Sequence, residues 1–124
     1  MARDLKKALE LGHPLLVLVS LAGCGYCKQV RENYLAPMRV REGLQVVQID
    51  MRTADTVVDF DGQVLSHQGW VHTRGVTVAP TVLFFGAKGA EIAQRLVGAS
   101  LPDFYGAYLD ERLHTATAVV PQPR

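Results

Sequence analysis

Two cysteines, Cys24 and Cys27, are the only thiols in the chain, and they stand two residues apart in Ala22-Gly-Cys-Gly-Tyr-Cys-Lys-Gln-Val30. Thiols at that spacing can hold a metal, staple a fold or exchange electrons. Exchange requires a thiolate, so a working pair needs one cysteine with a lowered pKa and a second within reach. A cysteine at the mouth of a helix meets the first need, because unpaired backbone N–H groups and the helix dipole favour an anion there. Cys27, about one turn further on, meets the second. Cys24 is then expected to attack or be attacked, with the more buried Cys27 resolving the mixed disulfide. Lys28 and Arg31 add positive charge nearby, although both also suit a solvated helix face.

The two competing uses fit less well. Structural zinc takes about four ligands, and no second Cys-x-x-Cys pair exists. His67 and His72 are distant in sequence and match no common finger spacing, so no metal is expected. A structural disulfide across so short a loop removes little chain entropy. A strand followed by a helix is also the context expected of a redox pair.

The elements that must position the pair are legible around it. Pro14 to Ser20 is a nearly continuous apolar run, as expected of a strand buried on both faces. Gly23 and Gly25 allow a tight turn, and a helix runs from Tyr26 or Cys27 to about Val40, kinked or broken at Pro37. Before the strand, Asp4 can cap a first helix that Gly12 stops. After Gly43, Leu44 to Asp50 reads as a second strand. Thr56 to Leu65 reads as two short β segments around an Asp-Gly turn, followed by a short helix from His67 to Arg74. Thr81 to Phe85 is a strand, and Glu91 to Val97 returns as a hairpin. A last helix starts at Ser100 and reaches about Leu113. Residues 1–114 thus form one domain, and 115–124, with two prolines, read as a loose tail. The expected class is α/β, a mixed sheet sandwiched by helices.

Composition bounds the partners. The chain has 124 residues, 48% hydrophobic and 20% charged, enough for a core that needs no disulfide. With 13 basic and 12 acidic residues, the net charge of +1 points to no nucleic-acid or membrane-surface partner. The apolar run before Ala22 is too short to insert in a membrane.

Four features in order resemble the thioredoxin superfamily: the apolar strand, Cys24-Gly25-Tyr26-Cys27-Lys28 opening a helix, Gly75-Val-Thr-Val-Ala-Pro-Thr81 leading into Val82-Leu-Phe-Phe85, and the Gly89 to Gly98 hairpin. The resemblance covers about Pro14 to Leu113. It implies that Pro80 is the family's cis-proline, lying against the cysteines, and that the backbone of Ala79 pairs with an extended substrate. It gives Tyr26 a part in substrate contact and Gly25 and Lys28 a part in tuning the pair. The implied activity is thiol:disulfide exchange with protein or peptide thiols and disulfides, with no cofactor, by a monomer. A redox-sensing or chaperone-like binding module on the same scaffold is the alternative.

Within the superfamily, the region Met51 to Val71 narrows the choice, and its stretch Val57-Val58-Asp59-Phe60-Asp61-Gly62-Gln63 resembles the extra hairpin of bacterial periplasmic thioredoxin-like proteins, including the sulfur-oxidation-associated type. Cys-Gly-Tyr-Cys is similar to the tetrapeptide of periplasmic disulfide isomerases, which usually place Thr where this chain has Ala79. That likeness implies a periplasmic location with a membrane thiol transporter as electron donor. The start, Met1 to Gly12, lacks a signal-peptide apolar region, and a cytoplasmic location is the alternative. Two departures set the chain apart from thioredoxin itself: Gly23 replaces the Trp before the first cysteine, and Leu18 replaces the buried Asp on the preceding strand. The sequence assigns no other carboxylate to proton transfer; Glu32 reads as a surface charge. Trp70 and Phe60 are expected in the local core.

Overall fold

The computed structural model describes residues 1–99 and 102–123. Its elements run α1 (Ala2–Glu10), β1 (Leu15–Ser20), α2 (Gly25–Val30), a π-helical segment (Arg31–Leu35), α3 (Ala36–Glu42), β2 (Gln45–Asp50), β3 (Thr56–Val58), β4 (Val64–Ser66), α4 (His67–Thr73), β5 (Thr81–Phe85), β6 (Leu96–Val97) and α5 (Pro102–Val119). The architecture is α/β, a mixed sheet in the order β2-β1-β5-β6 flanked by helices, with β3 and β4 pairing separately. β1 runs parallel to β2 and antiparallel to β5.

The unbroken apolar run of β1 is explained by two cores, one on each face of the sheet. Successive side chains on a strand point to opposite faces. Leu15, Val17 and Val19 therefore join Leu83 and Phe85 in a cluster with Leu5, Ala8, Ile49 and Trp70. Leu16 and Leu18 join Val82 and Phe84 in a second cluster with Val30, Leu35, Met38, Tyr105 and Leu109. Every residue of β1 and β5 is buried as a result.

Several expected boundaries move. Asp4 lies in the first turn of α1 and does not cap it; Met1 is the capping position, because Ala2 and Arg3 can already be helical. Of the two outcomes expected at Pro37, a kink or a break, no break occurs, and the helix runs on to Glu42. Pro37 has no N–H to donate to the turn before it, and its ring would press on a carbonyl one turn back. The wider π winding of Arg31–Leu35 takes up that misfit, and Pro37 then sits in the first turn of α3. The returning strand of the C-terminal hairpin shrinks to Leu96–Val97, with an isolated bridge between Phe85 and Glu91. The Ser100 cap lies outside the described residues.

The expected loose tail at 115–124 is corrected most. Helix α5 runs on to Val119. Ala116 and Val120 are buried, and they continue the helical stripe of Leu109 and Leu113 at spacings of three and four. Gln122 Nε2 then donates to the Gly12 carbonyl at 3.2 Å, which ties the segment back to the end of α1. A side chain at Gly12, whose φ is +76°, would run into Gln122 and Pro123. Interleaved threonines hide this stripe in the sequence.

The β3–β4 hairpin is held by one polar cluster. Asp59 accepts hydrogen bonds from the Phe60 amide (2.9 Å), Trp70 Nε1 (3.1 Å) and Arg74 Nη2 (2.9 Å). Burial alone would raise the Asp59 carboxyl pKa, but these donors and the Arg74 charge outweigh it and hold the group below its usual range. Arg74 also lies over the rings of Phe60, Trp70 and Phe85. Trp70 is fully buried and Phe60 packs on Phe85, in agreement with the expectation that both belong to the local core.

Candidate active site

The site is built at the C-terminal end of β1. Gly23 adopts φ +78°, a conformation that strains any side chain. The backbone turns there and delivers Cys24 to the N-cap of α2 with extended φ and ψ of −86° and 108°. In a capping role usually filled by an oxygen, Cys24 Sγ accepts the Cys27 amide hydrogen bond at 3.1 Å. Such a bond favours a charged sulfur over a neutral one, so the local fold stabilises the Cys24 thiolate whenever the pair is reduced.

Cys24 and Cys27 are joined as a disulfide, with their Cα atoms 5.2 Å apart. The two sulfurs differ in access. Cys27 is 1% exposed, whereas Cys24 is partly open to solvent. Cys24 is the more accessible of the two. Geometry thus gives the two cysteines the unequal access that the sequence reading expected.

Pro80 is buried, and the Ala79–Pro80 peptide is cis. Cys24 Sγ lies 4.0 Å from the Ala79 carbonyl oxygen, so the segments around 24 and 79 meet although they are remote in sequence. In the disulfide this sulfur carries no proton, and the approach is a contact, not a hydrogen bond. Two bonds fix the turn: Thr81 Oγ1 donates to the Val78 carbonyl at 2.6 Å, and the Gly98 amide to the Pro80 carbonyl at 2.7 Å.

The remaining expected residues separate. Gly25 and Lys28 are exposed beside Cys24 and help line the hollow next to it. Tyr26, between the cysteines, is 57% exposed. Leu18 is buried in the core with Val30 and Leu35, so an apolar contact occupies the strand position. Glu32 is exposed on the helix. His72 is exposed, and His67 Nδ1 accepts the Asp50 amide hydrogen bond at 3.0 Å.

Asp50 is the group that sequence reasoning missed. It shares with Cys24, Lys28, Arg31 and Gln48 the lining of a hollow of about 390 Å³. Its Oδ1 accepts from Gln48 Nε2 at 3.0 Å. A signal was present: β1 and β2 are parallel, and Ser20 at the end of β1 pairs in register with Asp50. Parallel pairing brings the residue ending the second strand to the same sheet end as the cysteines.

Comparison with known proteins agrees with this geometry. A family model for the thioredoxin-like domain matches residues 1–112. No curated protein sequence matches the chain. Among solved structures, thioredoxin from Fasciola hepatica superposes with a TM-score of 0.59 at 21% identity, over 91% of each chain. Oxidised thioredoxin O2 from Arabidopsis thaliana gives 0.57 at 16% identity, covering 89% of this chain and 84% of that one. The reduced thioredoxin pre-protein of Schistosoma mansoni gives 0.58 at 18%, covering 90% and 88%. At such identities the structural likeness speaks for the fold, and the family match speaks for kinship. With the matched model spanning nearly the whole domain and the disulfide seated at the helix mouth beside the Ala79 carbonyl, the chain belongs to the thioredoxin-like domain family.

Proposed function

We propose that the protein is a thiol:disulfide oxidoreductase that acts on protein or peptide disulfides through Cys24 and Cys27. The observation that carries this is the unequal disulfide: an accessible, helix-capping Cys24 bonded to a buried Cys27. In the reducing direction the Cys24 thiolate attacks one sulfur of a substrate disulfide. A Cys24–substrate bond forms, and the other substrate sulfur leaves as a thiolate and takes a proton. Cys27 loses its proton and attacks Cys24 Sγ, which releases the second substrate thiol and closes the Cys24–Cys27 bond. The substrate gains two electrons, which the cysteine pair loses, and two protons, one given up by Cys27 and one taken from solvent, into which Cys24 released its own on forming the thiolate. A dithiol partner returns them by the reverse steps.

Ala79 and Pro80 suit substrate placement, because the turn lies against Cys24 and Pro80 offers no N–H. Tyr26, exposed between the cysteines, suits substrate contact. Lys28 and Gly25 flank the sulfur, where a positive charge and an open backbone favour a thiolate. The β3–β4 hairpin and the Cys-Gly-Tyr-Cys tetrapeptide support a place among periplasmic exchangers, with a membrane thiol transporter as electron donor.

Trapping tests the reading. Cys27→Ser should accumulate a mixed disulfide between Cys24 and its substrates, visible as bands that dithiothreitol abolishes. The native chain should accelerate insulin reduction by dithiothreitol. If Cys24→Ser accelerates it equally, Cys24 is not the nucleophile and the mechanism fails. If Cys27→Ser traps nothing, the pair is better read as a sensor.

A further inference from the structure

The groove between β2 and the α2–α3 helix is hollowed three times in succession. The first hollow, about 390 Å³, opens beside Cys24 and is lined by Lys28, Arg31, Gln48 and Asp50 among others. The second, about 90 Å³, shares Arg31 and Gln48 with the first and adds Arg39 above a floor of Leu18, Leu35 and Val46. The third, about 340 Å³, shares Arg39 with the second and reaches Val40 and Gln45. Asp50 and Gln45 are the two ends of the six-residue strand β2. The row therefore follows the whole strand, a length of roughly 20 Å at the usual rise.

The row is cationic. Lys28, Arg31 and Arg39 line it, and among the described residues none of them forms an ion pair. Arg31 Nη1 meets only the neutral Gln48 Oε1, at 3.4 Å. One carboxylate, Asp50, lines any of the three hollows. The chain as a whole balances 13 basic residues against 12 acidic ones, so this excess is local. Lined by charges the fold leaves unanswered, the row is complementary to an acidic occupant.

We infer that this row is a track for an acidic, extended peptide segment flanking the substrate disulfide. The inference rests on the exchange reading above and names the substrate class of that site. The track starts at the accessible sulfur, so its occupant must bring a sulfur to Cys24. An extended segment of about six residues matches β2 in length. Carboxylates on it would meet Lys28, Arg31 and Arg39, and one apolar side chain would fill the small hollow over Val46.

Two peptide disulfides distinguish the outcomes, one with glutamates and one with lysines over the six residues on one side of the cysteine. Each rate of reduction by the reduced protein is divided by the rate with neutral dithiodipyridine on the same variant. The native chain should favour the acidic peptide by about tenfold at low salt, with the preference fading as salt rises. Arg39→Glu, at the far end from the sulfur, should remove or reverse the preference. Equal rates for both peptides, or a preference that Arg39→Glu leaves intact, overturns the track. A protein that reduces no disulfide, dithiodipyridine included, overturns the exchange reading instead. The track is then decided by fluorescence anisotropy of a cysteine-free acidic peptide on the oxidised protein. Tighter binding than the lysine peptide, weakened by Arg39→Glu, supports it, and equal binding overturns it.

Discussion

The end of the sheet that carries the disulfide and the cluster that holds the β3–β4 hairpin treat charge in opposite ways. Around Asp59 every charge is answered. The carboxylate takes bonds from Phe60, Trp70 and Arg74, Arg74 lies over three aromatic rings, and Arg95 Nη1 donates to the Arg74 carbonyl at 2.8 Å. Around Cys24 the charges stand open, with Lys28 exposed and Arg31 facing a neutral amide. Buried polar groups stabilise only when satisfied, so the first region holds the fold together. Charges left open to solvent add little to stability and remain available to a partner.

This contrast predicts that mutations should divide into those that stop the chemistry and those that loosen the fold. The largest effect is expected from Cys24→Ser, which should reduce disulfide exchange to the uncatalysed background in the insulin assay while urea unfolding of its reduced form matches that of the reduced native chain. A shift in stability comparable to that of a core mutation would break the comparison. Next comes Trp70→Ala. It opens a cavity in the first core and leaves Asp59 one donor short, and should cost about 3–5 kcal/mol by urea unfolding. Asp59→Ala leaves Arg74 without its carboxylate and should cost about 2–3 kcal/mol.

The acid limb sharpens the same point. The folded Asp59 carboxyl sits below its unfolded value near 3.8, so the unfolded chain binds more protons between the two values. Its contribution to stability is present above the unfolded value and is lost as pH falls through the folded one. In Asp59→Asn the decline of stability below about pH 4 should be shallower than in the native chain, measured by urea titrations at successive pH values. The smallest effect belongs to the open end: Lys28→Gln should change unfolding free energy by no more than about 0.5 kcal/mol. A larger loss would mean that Lys28 is structural after all.

The legible and hidden parts of the molecule follow the same division. Cys24, Cys27 and the strand before them could be read locally, because their spacing and the apolar run are short-range signals. The α/β class and both strands of the hairpin were readable for the same reason. The end of α5 was not, since Ala116 gains its meaning only by joining the second core and Gln122 only by reaching the Gly12 carbonyl after α1. The π winding at Arg31–Leu35 was also hidden. Pro37 signalled a disturbance, but whether the helix breaks or widens depends on what Leu35 and Met38 pack against.

What the sequence determined by itself was the chemistry: two thiols one helical turn apart, a buried strand to aim them, and a proline segment downstream. These are properties of residue type and spacing along the chain. Only the tertiary structure decided that Asp50 and Arg39 line the groove running from Cys24, and that Asp59 is committed to Trp70 and Arg74. Those facts depend on strand register and on which sheet face each helix covers. Both are set by the summed burial of two cores that no short stretch of sequence contains.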